Sequence, residues 1–383
     1  MKRELLGMAW FGCGLLLLAF FGLGLAGRWL AAGQWLLQAG LLWGFVCRHS
    51  MQRLSLNRAD IGSPLYASLG WGNRLTILRG GLIACTGGFL FQSANASVSL
   101  WIPAVLYTLA AIIDRLDGFV ARRSGQPSLL GEELDTAFDA FGMVVAPLLA
   151  VWLGKVGWIY LLVSVAYYLF QWGLERRRKR GLPVYPLVPN SLRRTLAGFQ
   201  MGFLAVALWP PVHPPVTAIA GIAFMLPLLS GFVVDWGLVS GRIQAQSPAT
   251  AQFFTRLNVF SNTFFQPGLR LVLTLALVWF MREMGHPLGE MGQSLGFDTR
   301  MPAAELISNW VLICSAALIL AGLAGRVGAL LLIVLLAWHY PGPPISIAAY
   351  LLIFSSIWLL LLGTGRFSLW QWDDGWVKRY DGA

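Results

Sequence analysis

The chain has 383 residues, 57% of them hydrophobic and 12% charged, where a soluble domain carries roughly 25% charged residues; a water-soluble globular protein is excluded. The formal charge of +11 does not form a stripe: the cations gather in loops between alternate apolar segments, which excludes a nucleic-acid surface and follows the positive-inside pattern.

Apolar segments of about 20 residues, enough to cross a hydrocarbon core as a helix, recur from end to end. About twelve such spans are predicted, which makes the chain an all-α, polytopic transmembrane helical bundle. With Met1 to Glu4 on the cytoplasmic side, the basic loops around Arg48 to Arg58, Arg122 and Arg123, Arg176 to Arg180, Arg242 to Arg256, Arg326 and Arg366 to Arg379 all fall on that side. A plasma or inner membrane is expected.

Two N-terminal spans, near residues 5 to 27 and 29 to 47, lead into a polar linker, so that 1–72 forms an N-terminal extension. Residues 5 to 26 are read as a span rather than a cleaved signal, because the run is close to full spanning length. Six spans follow in a middle block, 73–238, near 75 to 95, 99 to 119, 135 to 154, 157 to 174, 192 to 210 and 214 to 236. After a polar loop from Ser240 to Phe260, four more are predicted in a C-terminal block, 239–383, near 266 to 282, 305 to 323, 326 to 340 and 344 to 362. The segment Trp370 to Trp376 has the composition of an interfacial anchor. Cys13, Cys47, Cys85 and Cys314 stand alone in apolar stretches, and the four histidines are scattered, so neither a disulfide framework nor a zinc site is expected.

The middle block carries the chemistry. Six acids lie between Ala110 and Phe141, at positions that cost several kcal/mol unless paired, solvated or bound to a cation. On a helix Asp114, Asp117 and Ala121 share one face, as do Gly131, Asp135 and Asp139 on the next. Ser124-Gly125-Gln126-Pro127 is a turn signal that would fold the second helix back beside the first, aiming four carboxylates at one spot. Four hard oxygen ligands suit Mg²⁺ or Mn²⁺, and a pair of such ions is a recurrent clamp for phosphoryl transfer. Gly118 and Ala121 leave the helix face bare enough for a nucleotide, and Arg122 can meet a phosphate or the carboxylates. The alternative is that the acids pair with Arg115, Arg122 and Arg123 and only hold a hairpin; buried ion pairs are weak stabilisers and do not require such fixed spacing.

The order Asp114-x-x-Asp117-Gly118-x-x-Ala121-Arg122, eight residues, then Gly131-x-x-x-Asp135-x-x-x-Asp139 resembles the signature of the CDP-alcohol phosphotransferase family. Asn73-x-Leu75-Thr76-x-x-Arg79 is similar to the stretch that opens the family's first core helix. The resemblance covers about residues 73–238 and implies a six-helix core in which Asp114, Asp117, Asp135 and Asp139 hold two divalent ions that bind the CDP diphosphate. It further implies Asp139 as general base, with Gly118, Ala121, Arg122 and Gly131 in the CDP site. The implied reaction moves a phosphatidyl group from a CDP-linked lipid donor to a small alcohol or phosphorylated-alcohol acceptor and releases CMP, in a homodimer.

Arg193-Arg194-Thr195 resembles, more loosely, the basic stretch of phosphatidylglycerol-phosphate synthase-like members, which implies a grip on an acceptor phosphate; plain anchoring to anionic lipid is the competing reading. The basic loop favours CDP-diacylglycerol as donor over a CDP-choline or CDP-ethanolamine reaction with diacylglycerol. A transporter using the acids to bind a translocated cation is the rival from another class, but it would spread them over several helices. Gly365 to Leu369 faintly resembles the end of DoxX-type four-helix membrane proteins and assigns no chemistry.

Overall fold

The computed structural model describes residues 1–92, 97–187, 191–244, 247–283, 303–339 and 345–370. Its helices are α1 (Lys2–Leu25), α2 (Trp29–Gln52), α3 (Trp71–Gly87), α4 (Ser97–Arg123), α5 (Leu129–Trp152), α6 (Leu162–Lys179), α7 (Ser191–Ala207), α8 (Val216–Val239), α9 (Pro248–Phe260), α10 (Gln266–Glu283), α11 (Ala303–Ala321), α12 (Gly325–His339) and α13 (Ile347–Leu362). The described residues form no strand beyond one isolated bridge. This is the all-α class expected, because a backbone in hydrocarbon must satisfy its own hydrogen bonds. Each predicted span overlaps a helix within the described residues. Among the described residues, five helical stretches are long and apolar enough to cross a membrane by length and composition, namely Lys2–Leu25, Trp29–Gln52, Leu129–Trp152, Val216–Val239 and Pro248–Glu283. The Trp370 to Trp376 anchor lies, beyond Trp370, outside the described residues.

The chain forms two compact units, Met1–Tyr167 with Met201–Pro210, and Tyr168–Gln200 with Pro211–Ala383. In the first unit α3 is the pivot, packed by α2, α4 and α5. Its small residues permit this: Cβ atoms built at Gly72 and Gly80 would lie 2.7 Å from the Ala121 Cβ of α4 and 3.1 Å from the Phe138 ring of α5. Helices in lipid associate through such close packing, since hydrophobicity does not distinguish a neighbour from a lipid tail. α4 and α5 therefore each pack principally on α3, whereas a hairpin folded directly on itself was expected. The turn between them does form as its residues predict, with Gly125 at φ +66° and the Gln126 amide donating to the Ala121 carbonyl.

The start of α3 is fixed by polar contacts. Gly70, at φ +77°, turns the chain into the helix. Glu4 of α1 accepts from the Leu69 amide at 3.2 Å and pairs with Arg74 at 3.0 Å. Asn57 in the linker donates to the Ser68 carbonyl at 2.8 Å and accepts from Asn73 at 3.0 Å. Ser128 caps α5, accepting from the Gly131 amide at 3.1 Å, and its hydroxyl also meets Asn73.

In the second unit α10, α11, α12 and α13 pack in a bundle, and α13 also meets α8. Arg270 of α10 is buried and donates to the carbonyls of Ile319 and Leu320 in the last turn of α11 and of Phe367 beyond α13, while Arg326 donates to Leu360 in the last turn of α13. The expected loop from Ser240 to Phe260 is a correction: its second half is α9, running through a π-turn, Ser261–Phe265, into α10. Pro248 at the first helical position starts it. Phe253, Leu257, Phe260 and Phe264 recur at helical spacing among polar residues that mask the period. The π-turn leaves the Asn262 carbonyl accepting from the Arg366 amide at 3.0 Å.

Candidate metal-dependent active site

The acidic motif sits on α4 and α5 where both flank the first two turns of α3. Asp114 and Asp117 project from α4, Asp135 and Asp139 from α5. One carboxylate oxygen each of Asp114, Asp135 and Asp139 come within 4.8 Å of one another. Asp117 is held apart by its own partners, accepting from the Thr76 hydroxyl at 2.9 Å and from the Gly118 amide at 2.6 Å. Its side chain is 8% exposed against 48% for Asp135 and 42% for Asp139, so the cluster opens on the α5 side and closes at Asp117.

The cation at the centre is one that the motif reading did not assign. Arg79 of α3, with no exposed side-chain surface, pairs with Asp114, with Asp135 at 3.0 Å, with Asp139 at 3.2 Å and, more distantly, with Asp117 at 3.9 Å. It also donates to the Asp135 main-chain carbonyl at 3.1 Å. These ion pairs are made by Arg79, a cation outside the set Arg115, Arg122 and Arg123 that the hairpin alternative would use. Asn73, Thr76 and Arg79 lie three residues apart along one side of an apolar helix. That spacing of buried polar side chains was the available signal for them.

The remaining predicted residues separate. Gly118 is open, the nearest atom to a Cβ built there being Arg122 Nη1 at 3.4 Å, so Arg122 folds over the bare stretch. Ala121 faces Gly72, its small side chain serving the α3–α4 contact. Gly131 brings α5 close to α3, since a Cβ there would lie 2.8 Å from Asn73 Oδ1. Arg193, on α7 in the second unit, pairs with Asp235 of α8 at 3.4 Å. Arg194 occupies the next position of α7.

The acidic cluster fits a divalent cation. It offers hard oxygen donors from three convergent carboxylates, and the buried Asp139 Oδ1, ion-paired with Arg79 Nη2 at 3.2 Å, accepts no hydrogen bond. Charge of this density inside an apolar bundle requires positive counter-charge.

The fold and site define a helical membrane protein with a convergent acidic cluster on two helices joined by a short turn. The sequence profile of the CDP-alcohol phosphatidyltransferase family matches residues 71–236. Curated proteins named "Putative cardiolipin synthase" in Mycobacterium bovis and Mycobacterium tuberculosis are 30% identical to the chain over 157 residues, 40% of this chain and 73% of theirs. No solved structure matches it. The chain belongs to the CDP-alcohol phosphatidyltransferase family. It is a multi-pass membrane phosphatidyltransferase of phospholipid synthesis.

Proposed function

We propose that the protein transfers a phosphatidyl group from CDP-diacylglycerol to the hydroxyl of an acceptor alcohol and releases CMP. The observation that carries the reading is the convergence of Asp114, Asp135 and Asp139, with Asp117 beneath them, in the order and spacing of the family's motif. Two Mg²⁺ or Mn²⁺ ions, held by the four aspartates, would supply electrostatic binding of the diphosphate and neutralise charge as the phosphorus is displaced. Asp139, half-open at the mouth of the cluster, accepts the proton of the acceptor hydroxyl. The acceptor oxygen forms its bond to the lipid-bearing phosphorus while the bond from that phosphorus to the CMP oxygen breaks. Arg122, lying over the bare Gly118, steadies the donor phosphates. The site faces the cytoplasm, in keeping with the basic loops around it, and the enzyme works as the homodimer that the family resemblance implies.

The test is CMP release from purified protein in detergent with Mg²⁺ or Mn²⁺ and CDP-diacylglycerol, against glycerol 3-phosphate, inositol phosphate, inositol, serine and phosphatidylglycerol. The last is included because the relatives' name would make cardiolipin the product. Stimulation by one acceptor identifies the reaction. Silence with all of them, followed by release from CDP-choline or CDP-ethanolamine with diacylglycerol, would replace the donor.

Arg193 and Arg194 belong to the acceptor side in this proposal. Their replacement together by Gln is expected to raise the KM of a phosphorylated acceptor about tenfold, as the loss of a charge-assisted contact implies, with kcat retained. The pairing of Arg193 with Asp235 gives the competing outcome: a fall in thermal midpoint with KM unchanged would assign the pair to the fold of α7 and α8.

A further inference from the structure

We infer that Arg79 is a positioning residue that competes with the divalent cations for the carboxylates of the acidic cluster, so that metal entry and withdrawal of the guanidinium are one event. The inference rests on the metal-dependent reading above. Four carboxylates surround one guanidinium, a formal balance of one positive against four negative charges. Arg79 therefore draws the acids of α4 and α5 toward α3 without neutralising them, which leaves the cluster poised for further cations. The groups it contacts include all three whose oxygens converge, Asp114, Asp135 and Asp139. A cation bound by those carboxylates shares them with the guanidinium, and the two positive charges repel at close range.

The arginine has a second acceptor to fall back on. Its Nη2 donates to the Asp135 main-chain carbonyl at 3.1 Å, which a cation held by carboxylates leaves free. Its Nε meets no hydrogen-bond acceptor among the described residues, so the carboxylates and this carbonyl are what hold the guanidinium in place. The side chain has no exposed surface, which keeps the exchange within the cluster. A residue with only a packing role would not need to reach all four acids.

The experiment is Mn²⁺ titration of the full chain, purified in detergent and stripped with EDTA, read by the electron paramagnetic resonance of free Mn²⁺, with thermal unfolding measured with and without the metal. Arg79→Gln is expected to bind Mn²⁺ about tenfold more tightly or better, as removal of a positive charge a few Å from the ion implies. It is expected to melt below wild type without metal, and the gap is expected to narrow as Mn²⁺ is added. An unchanged or weaker affinity, with the same loss of midpoint in both conditions, overturns the inference and leaves Arg79 a structural residue. Should Arg79→Gln fail to stay folded, Arg79→Met decides: it removes the charge while keeping a long unbranched side chain, and an affinity no tighter than wild type overturns the proposal. The underlying metal reading fails separately, if wild type binds no Mn²⁺ or if Asp135→Asn binds it as tightly as wild type.

Discussion

Asp139→Asn is expected to lower phosphatidyl transfer by about three orders of magnitude, the size associated with removing a general base together with a ligand charge. The substitution is isosteric and the side chain is 42% exposed, so the fold should persist. What disappears is the proposed proton acceptor at the mouth of the cluster and the charge of one of three convergent carboxylates. Asp135→Asn should fall nearly as far, but with a different division. It removes a proposed ligand and a 3.0 Å partner of Arg79 while leaving the proposed base, Asp139, in place, so more of its loss should appear as a higher Mn²⁺ requirement. CMP release at varied Mn²⁺ separates the two. Transfer near the wild-type rate in either variant would remove that residue from the mechanism.

The second large effect is structural in origin. Gly72→Val is expected to destabilise the first unit by about 3 kcal/mol or more, the range for forcing atoms into a packed contact with backbone on the far side. A Cβ at position 72 would lie 2.7 Å from the Ala121 Cβ, 3.2 Å from its Cα and 3.3 Å from the Asp117 carbonyl. Backbone cannot rotate aside as a side chain can, so α3 and α4 must separate. That separation stretches the hydrogen bond from Thr76 to Asp117 and the reach of Arg79 to Asp114, so activity should fall with stability. Thermal unfolding and CMP release are the measurements. The milder Gly72→Ala combined with Ala121→Gly should recover part of the loss, since the two positions share one contact. A Gly72→Val protein with wild-type midpoint and activity would mean that α3 and α4 do not meet at this point.

What could be read in the residues divides along physical lines. A helix is local: its hydrogen bonds close within four residues, so apolar length is enough to locate α1, α2, α5 and α8, and the turn signal Ser124-Gly125-Gln126-Pro127 is enough to separate the acidic helices. The face shared by Asp114 and Asp117, or by Asp135 and Asp139, follows from the same local geometry. The acidic motif was therefore legible, together with the family it signals. α9 was not, because Thr255, Arg256 and Asn258 interrupt its aromatic period and the segment reads as polar.

The choice of neighbour is not local. In lipid, apolar helices are distinguished by how closely their backbones can approach, and only the assembled first unit reveals that Gly72 and Gly80 let α3 stand against both acidic helices. From that follow the two features no spacing rule could supply: Asp117 is drawn aside by Thr76, and Arg79 lies among all four carboxylates. The sequence by itself determined the membrane class, the helices other than α9 and the acidic motif. The tertiary structure alone decided which cation those acids share, because that contact joins three helices distant in the chain through packing that composition cannot express.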